Sequence, residues 1–123
     1  MIHFDTNFLI DAVKTGTPPH IDLRNWIQAG EPLGISAVAW AEFLCGPLAP
    51  ADLPAAQILF PTQESFLGAD AVQAASLFNQ TGRRSRSLAD CMIAAVAIRC
   101  GAKLATSNRG DFQPFMPFGL LLA

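Results

Sequence analysis

The chain has 123 residues, enough for one domain with one core and too few for a second. With 8 Lys and Arg against 10 Asp and Glu, its formal net charge of -2 excludes a globally basic nucleic-acid binder, so any such partner must be met by a local patch. Charged residues make up 15%, against roughly 25% in typical soluble domains, and hydrophobic residues 51%, so a self-association face, a partner groove, or both is expected.

The chain opens with Met1-Ile2-His3-Phe4, a short apolar run that reads as a strand stopping at Asp5. Asp5 or Thr6 can cap a first helix from about Asn7 to Lys14. Thr15-Gly16-Thr17-Pro18-Pro19 reads as a loop, followed by a helix from His20 to Ala29 with Leu23, Trp26 and Ile27 at helical spacing. Pro32 to Ile35 is a second strand, and Ser36 caps a third helix through Trp40, Phe43 and Leu44 that Gly46-Pro47 stops. A short helix is expected from Asp52 to Gln57, a strand at Ile58-Leu59-Phe60, and a long helix from Phe66 to Gln80. The basic loop Gly82-Arg83-Arg84-Ser85-Arg86 leads to Ser87, which caps a helix from Leu88 to Cys100. Lys103-Leu104-Ala105 is a fourth strand, Thr106 to Asp111 a loop, and Gly119 to Leu122 a possible fifth strand in an apolar tail. Strands alternating with helices predict an α/β fold with a parallel sheet covered by helices. No internal repeat or linker interrupts it.

No secretory signal pattern opens the chain, and no apolar stretch reaches the ~18 residues of a membrane span. Cys45, Cys91 and Cys100 lack the CxxC or Cys/His spacing of a zinc site, so a reducing, cytoplasmic setting is expected.

Four carboxylates carry the chemical information: Asp5, Glu42, Asp90 and Asp111. Each follows a predicted strand or lies in the helix after one, and in a parallel sheet such positions share the edge where ligands bind. Carboxylates gathered in one cleft repel each other unless a cation neutralises them. All-oxygen donors of this kind select Mg²⁺ or Mn²⁺. Each acid also has a plainer reading. Asp5 could be only a helix cap, Glu42 a solvated helix residue and Asp111 a solvated turn. Asp90 has the sharpest rival, because Ser87-Leu88-Ala89-Asp90 fits a capping box in which the acid reaches back to the Ser N–H. Asp11, Asp22, Glu31, Asp52, Glu64 and Asp70 read as surface or capping residues.

Taken in order, Phe4-Asp5-Thr6-Asn7, Ala41-Glu42, the Asp90-Cys91-Met92-Ile93-Ala94-Ala95 helix and the Thr106-Ser107-Asn108-Arg109-Gly110-Asp111-Phe112 loop resemble PIN-domain proteins of the VapC ribonuclease-toxin type. The resemblance spans nearly the whole chain. It implies a single domain over residues 1–123, a three-layer α/β/α sandwich with a short central parallel sheet, and Mg²⁺ held mainly by Asp5 and Asp90. Glu42 matches the family's second acid and Asp111 the acid of the last loop, with Asn108 as a possible polar ligand or orienter. Thr106 and Asn7 are expected to support a carboxylate by hydrogen bonding. The implied activity is metal-dependent hydrolysis of an RNA phosphodiester, leaving a 5′-phosphate and a 3′-hydroxyl, with no histidine required. His3 and His20 therefore have no expected catalytic part.

Arg83, Arg84, Arg86 and Arg109 are candidates to engage RNA phosphates at the rim of such a cleft, or simply to be solvated. Phe112, Phe115, Met116 and Phe118 are expected in core or dimer packing. The resemblance also implies a cognate antitoxin that lays a helix on apolar surface, and a homodimer. Two other classes share parts of this pattern. A signalling receiver domain would need an adjacent acidic pair after strand one and an Asp after strand three, where this chain has Thr6-Asn7 and Pro61-Thr62. A non-catalytic PIN-like binding module would keep the fold without needing all four acids.

Overall fold

The computed structural model describes residues 1–123. It has four strands, β1 (Ile2–Phe4), β2 (Leu33–Gly34), β3 (Lys103–Ala105) and β4 (Leu121–Leu122). They form one sheet of order β2-β1-β3-β4 in which every pairing is parallel. Around it lie α1 (Thr6–Ala12), α2 (Pro18–Gln28), α3 (Ala37–Cys45), α4 (Asp52–Leu59), α5 (Gly68–Gln80), α6 (Leu88–Arg99) and α7 (Arg109–Phe112), with short 3₁₀ turns at Ser85–Ser87 and Gln113–Phe118.

Successive β1 residues point to opposite faces, yet Ile2, His3 and Phe4 are all buried, so helices cover the sheet on both sides. This is the expected α/β/α sandwich. On one face the fully buried Phe4 ring meets Phe8 of α1, Trp26 of α2 and Phe60 just past α4, each edge-on at 5.2–5.9 Å between centroids. On the other, the His3 ring lies across Gly34, where a Cβ would come within 2.8 Å of it. Burial pulls the His3 pKa below its usual value. His20 is tied to the Ala12 carbonyl oxygen through Nδ1 at 2.8 Å.

Several boundaries differ from the sequence reading. Thr17 accepts from His20 N, so α2 begins at Pro18, with prolines in its first turn where no N–H is needed. The strand expected at Ile58-Leu59-Phe60 does not form, because α4 runs through Ile58 and Leu59. Asp52 holds its first turn by accepting from Ala49 N at 2.9 Å, and Pro54 is still early enough to be tolerated. Ile58 is 82% exposed, outside any sheet. The chain touches the sheet slightly later, where Glu64 makes a parallel bridge with Ser36. Arg109–Phe112 is helical rather than loop. The tail strand does form, as β4 beside β3, after Gly119 turns the chain with φ 110. Phe112 and Phe115 are core residues packed edge-on, while Met116 and Phe118 are exposed. The three cysteines are unpaired. No helix is long and apolar enough to cross a membrane.

Candidate active site

Parallel strands end their C-terminal tips on one edge, and β1 and β3 are neighbours there. Asp5 follows β1, and its backbone N–H donates to Ala105 O at 2.9 Å, extending the ladder by one step. That step brings Asp5 beside Thr106, the residue after β3. Thr106 Oγ1 donates to Asp5 Oδ2 at 3.0 Å, and Thr6 N donates to Asp5 Oδ1 at 2.8 Å. Both oxygens of a carboxylate that is 5% exposed are therefore held. Thr106 Oγ1 also accepts from Asn108 N at 3.0 Å, which shapes the loop beyond β3. Asn7 is exposed and is not among the donors to Asp5; the support expected from it comes from Thr6 instead.

Glu42 reaches the same place from α3. Thr6 Oγ1 donates to Glu42 Oε1 at 2.8 Å, so one buried threonine touches both acids, through its N–H and through its hydroxyl. Thr6 thus joins the acid cluster, a place that sequence reasoning did not give it beyond a capping role. Its signal was a β-branched hydroxyl directly after a strand-end acid, which reads first as a helix cap.

Asp90 is the third residue of α6, and the capping box expected for it is not made. Ser87 N donates to Arg84 O at 2.9 Å, and Ser87 Oγ donates to the same carbonyl at 2.8 Å. The Asp90 carboxylate has no hydrogen-bond donor. Burial first, then the charges of Asp5, Asp111 and Glu42, raise its pKa to about 7. Asp5 is raised too, by burial against the opposing hydrogen bonds of Thr106 and Thr6, and further by Glu42 and Asp111. All four predicted acids thus share one electrostatic neighbourhood. Asp111, on α7, lines a cleft of about 210 Å³ together with Asp90, Arg84, Arg86 and Ser87.

The remaining predicted residues divide. Arg84 and Arg86 face the cleft. Arg83 does not: it turns back onto α5, donating to Asn79 Oδ1 at 2.6 Å and lying 5.8 Å from the Phe78 ring centre. Arg109 is engaged with Ala123 O at 2.8 Å. The Asn108 side chain is exposed.

No three His, Cys, Asp or Glu side chains are spaced to enclose a cation directly. The donor set nevertheless fits Mg²⁺ or Mn²⁺. It consists of hard oxygens, burial and like charges disfavour the ionised form of Asp90, and the cleft has room for several waters. Mg²⁺ keeps several of its waters and binds through one or two carboxylates, so a dry cage is not required.

The sequence profile of the PIN domain matches residues 2–113. The chain belongs to the PIN-domain family. Solved structures agree on the fold. DNA-bound VapBC from Salmonella typhimurium is similar at TM-score 0.73 and 23% identity, covering 99% of this chain and 96% of that one. A toxin–antitoxin complex from Klebsiella pneumoniae gives 0.72 and 24%, over 91% and 90% of the two chains. VapC20 from Mycobacterium tuberculosis, a sarcin–ricin-loop-cleaving toxin, gives 0.69 and 22%, over 100% and 98%. No curated protein sequence matches. In this PIN domain the D-T-N opening and the Asp90 helix bring their acids to one edge of the sheet.

Proposed function

We propose that this PIN-domain protein is a Mg²⁺-dependent endoribonuclease, with Mn²⁺ as a possible substitute, and the toxin of a toxin–antitoxin pair. The observation that carries the reading is Asp90. It is a half-buried carboxylate that accepts no hydrogen bond within the protein and lines one cleft with Asp111, with Asp5 and Glu42 close by, so burial and like-charge repulsion both disfavour its ionised form. A divalent cation relieves that repulsion. Asp5 and Asp90 are its principal holders, with Glu42 and Asp111 beside them.

When bound, the metal would polarise the scissile phosphate and make a water more acidic. The chain's own residues do the rest. Thr6 and Thr106 fix Asp5 by both oxygens, and Thr6 fixes Glu42, so neither acid must reorganise during the reaction. A carboxylate in the cleft accepts a proton from the attacking water as its oxygen bonds to phosphorus. The P–O3′ bond breaks, and O3′ takes up a proton from solvent water to leave as a 3′-hydroxyl.

Similar solved structures include a toxin–antitoxin complex from Klebsiella pneumoniae and DNA-bound VapBC from Salmonella typhimurium. They support an antitoxin partner here. An apolar groove of about 240 Å³ between α1, α2 and α4, with Val13, Leu23, Ile58 and Leu59 among its walls, suits an inhibitor helix. A homodimer is the further assembly proposed.

The absence of a ready-made cation cage is the one observation that favours the second reading, a non-catalytic PIN-like binding module. Mapping cleavage ends on total RNA, with and without chelator, decides between them. The nuclease reading expects discrete metal-dependent ends carrying 5′-phosphates, lost in Asp5→Asn and Asp90→Asn proteins whose circular dichroism is unchanged. Cleavage by either variant at the parental rate would overturn it.

A further inference from the structure

The basic loop sends neighbouring arginines in opposite directions. Gly82 and Arg83 both have left-handed backbones, with φ 91 and 55, and Arg83 is the sole non-glycine residue of positive φ in the chain. This reversal lays Arg83 back along the helix it follows. Its N–H donates to Phe78 O at 3.0 Å, and its guanidinium is held by Asn79 and the Phe78 ring. Arg84 comes out of the reversal extended, with φ -76 and ψ 117. Its carbonyl accepts from both Ser87 N and Ser87 Oγ, which staples the turn at its far end. Pinned at both ends, the loop presents Arg84 and Arg86 to the cleft that Asp90 and Asp111 line.

Neither arginine forms an ion pair, although carboxylates stand in the same cleft; the chain's ion pairs are Met1–Glu31, Arg99–Glu64 and Arg99–Asp70. Nor does either make a side-chain hydrogen bond, so ten N–H donors across two planar forks stay available. No apolar side chain lines the cleft, so it has no seat for a hydrophobic group. One wall is acidic and one basic, with a gap between them that neither closes. A group that bridges such walls is an anion which also shares the cation of the acidic wall.

We propose that Arg84 and Arg86 form the seat for an RNA backbone phosphate next to the scissile one, and that Arg83 is the positioning residue that aims them. This rests on the ribonuclease reading above and adds a division of labour inside one loop. Two guanidiniums engage phosphate bidentately, and a third is spent on holding the loop.

The test is equilibrium binding of a fluorescein-labelled single-stranded 12-nucleotide RNA to the full chain in EDTA, across a salt series. Arg84→Gln and Arg86→Gln should each weaken binding about fivefold at 0.1 M salt and each reduce the slope of log K against log salt, by ~0.7 when combined, the loss of one phosphate contact on a single strand. Arg84→Lys should keep the slope and lose part of the affinity, because the charge remains while the fork is gone. Arg83→Gln should leave the slope unchanged, because its charge meets no phosphate, but weaken binding about threefold as the loop loses its hold; an affinity equal to the parent's would overturn its positioning role. Unchanged slopes for Arg84→Gln and Arg86→Gln would overturn the proposal, as would a slope loss in Arg83→Gln equal to theirs, or failure of the parent chain to bind. Shortening of the probe in EDTA, visible on a gel, would instead strike at the metal-dependent reading.

Discussion

Asp70 and Asp90 occupy the same position in adjacent helices, the third residue of α5 and of α6, and their surroundings are opposite. Asp70 is buried, but Leu67 N donates to Oδ2 at 2.9 Å and Arg99 Nε to Oδ1 at 2.8 Å. Burial pushes its pKa up; Arg99 and Leu67 more than reverse this, and it sits below the ordinary carboxylate range. Arg99 itself closes α6 and also reaches Glu64 Oε1 at 3.1 Å and Ser65 O at 3.0 Å, joining the end of one helix to the start of the other. Asp90 has neither donor nor cation. The pair sets an acid that holds the fold against one to which the proposed function gives a metal. Helix position does not distinguish them; satisfaction of the two oxygens does.

Substitution should separate the two roles sharply. The largest expected effect is Asp90→Asn, which should cut RNA cleavage by about 10²–10³-fold, typical of losing a main electrostatic group, while leaving the melting temperature equal or higher. A lower melting temperature would mean that Asp90 supports the fold after all. Asp70→Asn should do the reverse. It should lower the melting temperature by roughly 5–10 °C, through loss of a charge-assisted bond, and leave cleavage per folded molecule nearly unchanged.

The two acids should also titrate in different windows. Asp90 is raised to about 7, so the metal-free native state takes up a proton that the unfolded chain accepts only near pH 4. Its contribution to stability therefore falls as pH rises between those values. Melting in EDTA should show the parent chain losing a few degrees, relative to Asp90→Asn, between pH 5 and 8. Saturating Mg²⁺ should remove the difference. His3, depressed by burial, acts with the opposite sign below its usual value, equally in both proteins, and cancels in the comparison. Asp70, depressed, contributes stability above the ordinary carboxylate range that is lost only as pH falls through its own lower pKa. A parent chain whose melting tracked Asp90→Asn across the series would contradict the uncompensated charge. The smallest effect expected is Thr6→Val, which removes the donor to Glu42 but keeps the N–H to Asp5. It should slow cleavage by about 3–10-fold with little change in melting, measured at saturating metal.

Much of this was readable from residue order. β1 and β3 are apolar runs ending at polar residues, and the four acids follow strands or lie in the helices behind them. What misled was local chemistry with two meanings. Ser87-Leu88-Ala89-Asp90 has the letters of a capping box, yet the reach-back from acid to backbone N–H occurs at Leu67 and Asp70, where the first residue offers no side-chain oxygen. The apolar triplet Ile58-Leu59-Phe60 satisfied a strand pattern, but the helix formers before it carried α4 through the first two. Pro18-Pro19 looked like a loop because prolines break helices, although they fit the first turn. The divergence of the arginines lay beyond any pattern, since it depends on one residue, Arg83, adopting a left-handed backbone.

The hydrogen bonds that hold Asp5 come partly from the residue after β3, a hundred positions downstream. A ribosome extruding this chain therefore releases the first acid long before the partner that orients it. Until the Thr106 segment has emerged and docked, the growing polypeptide lacks the hydroxyl that orients Asp5, so the acid cluster is completed only once the long-range pairing of β1 with β3 has formed.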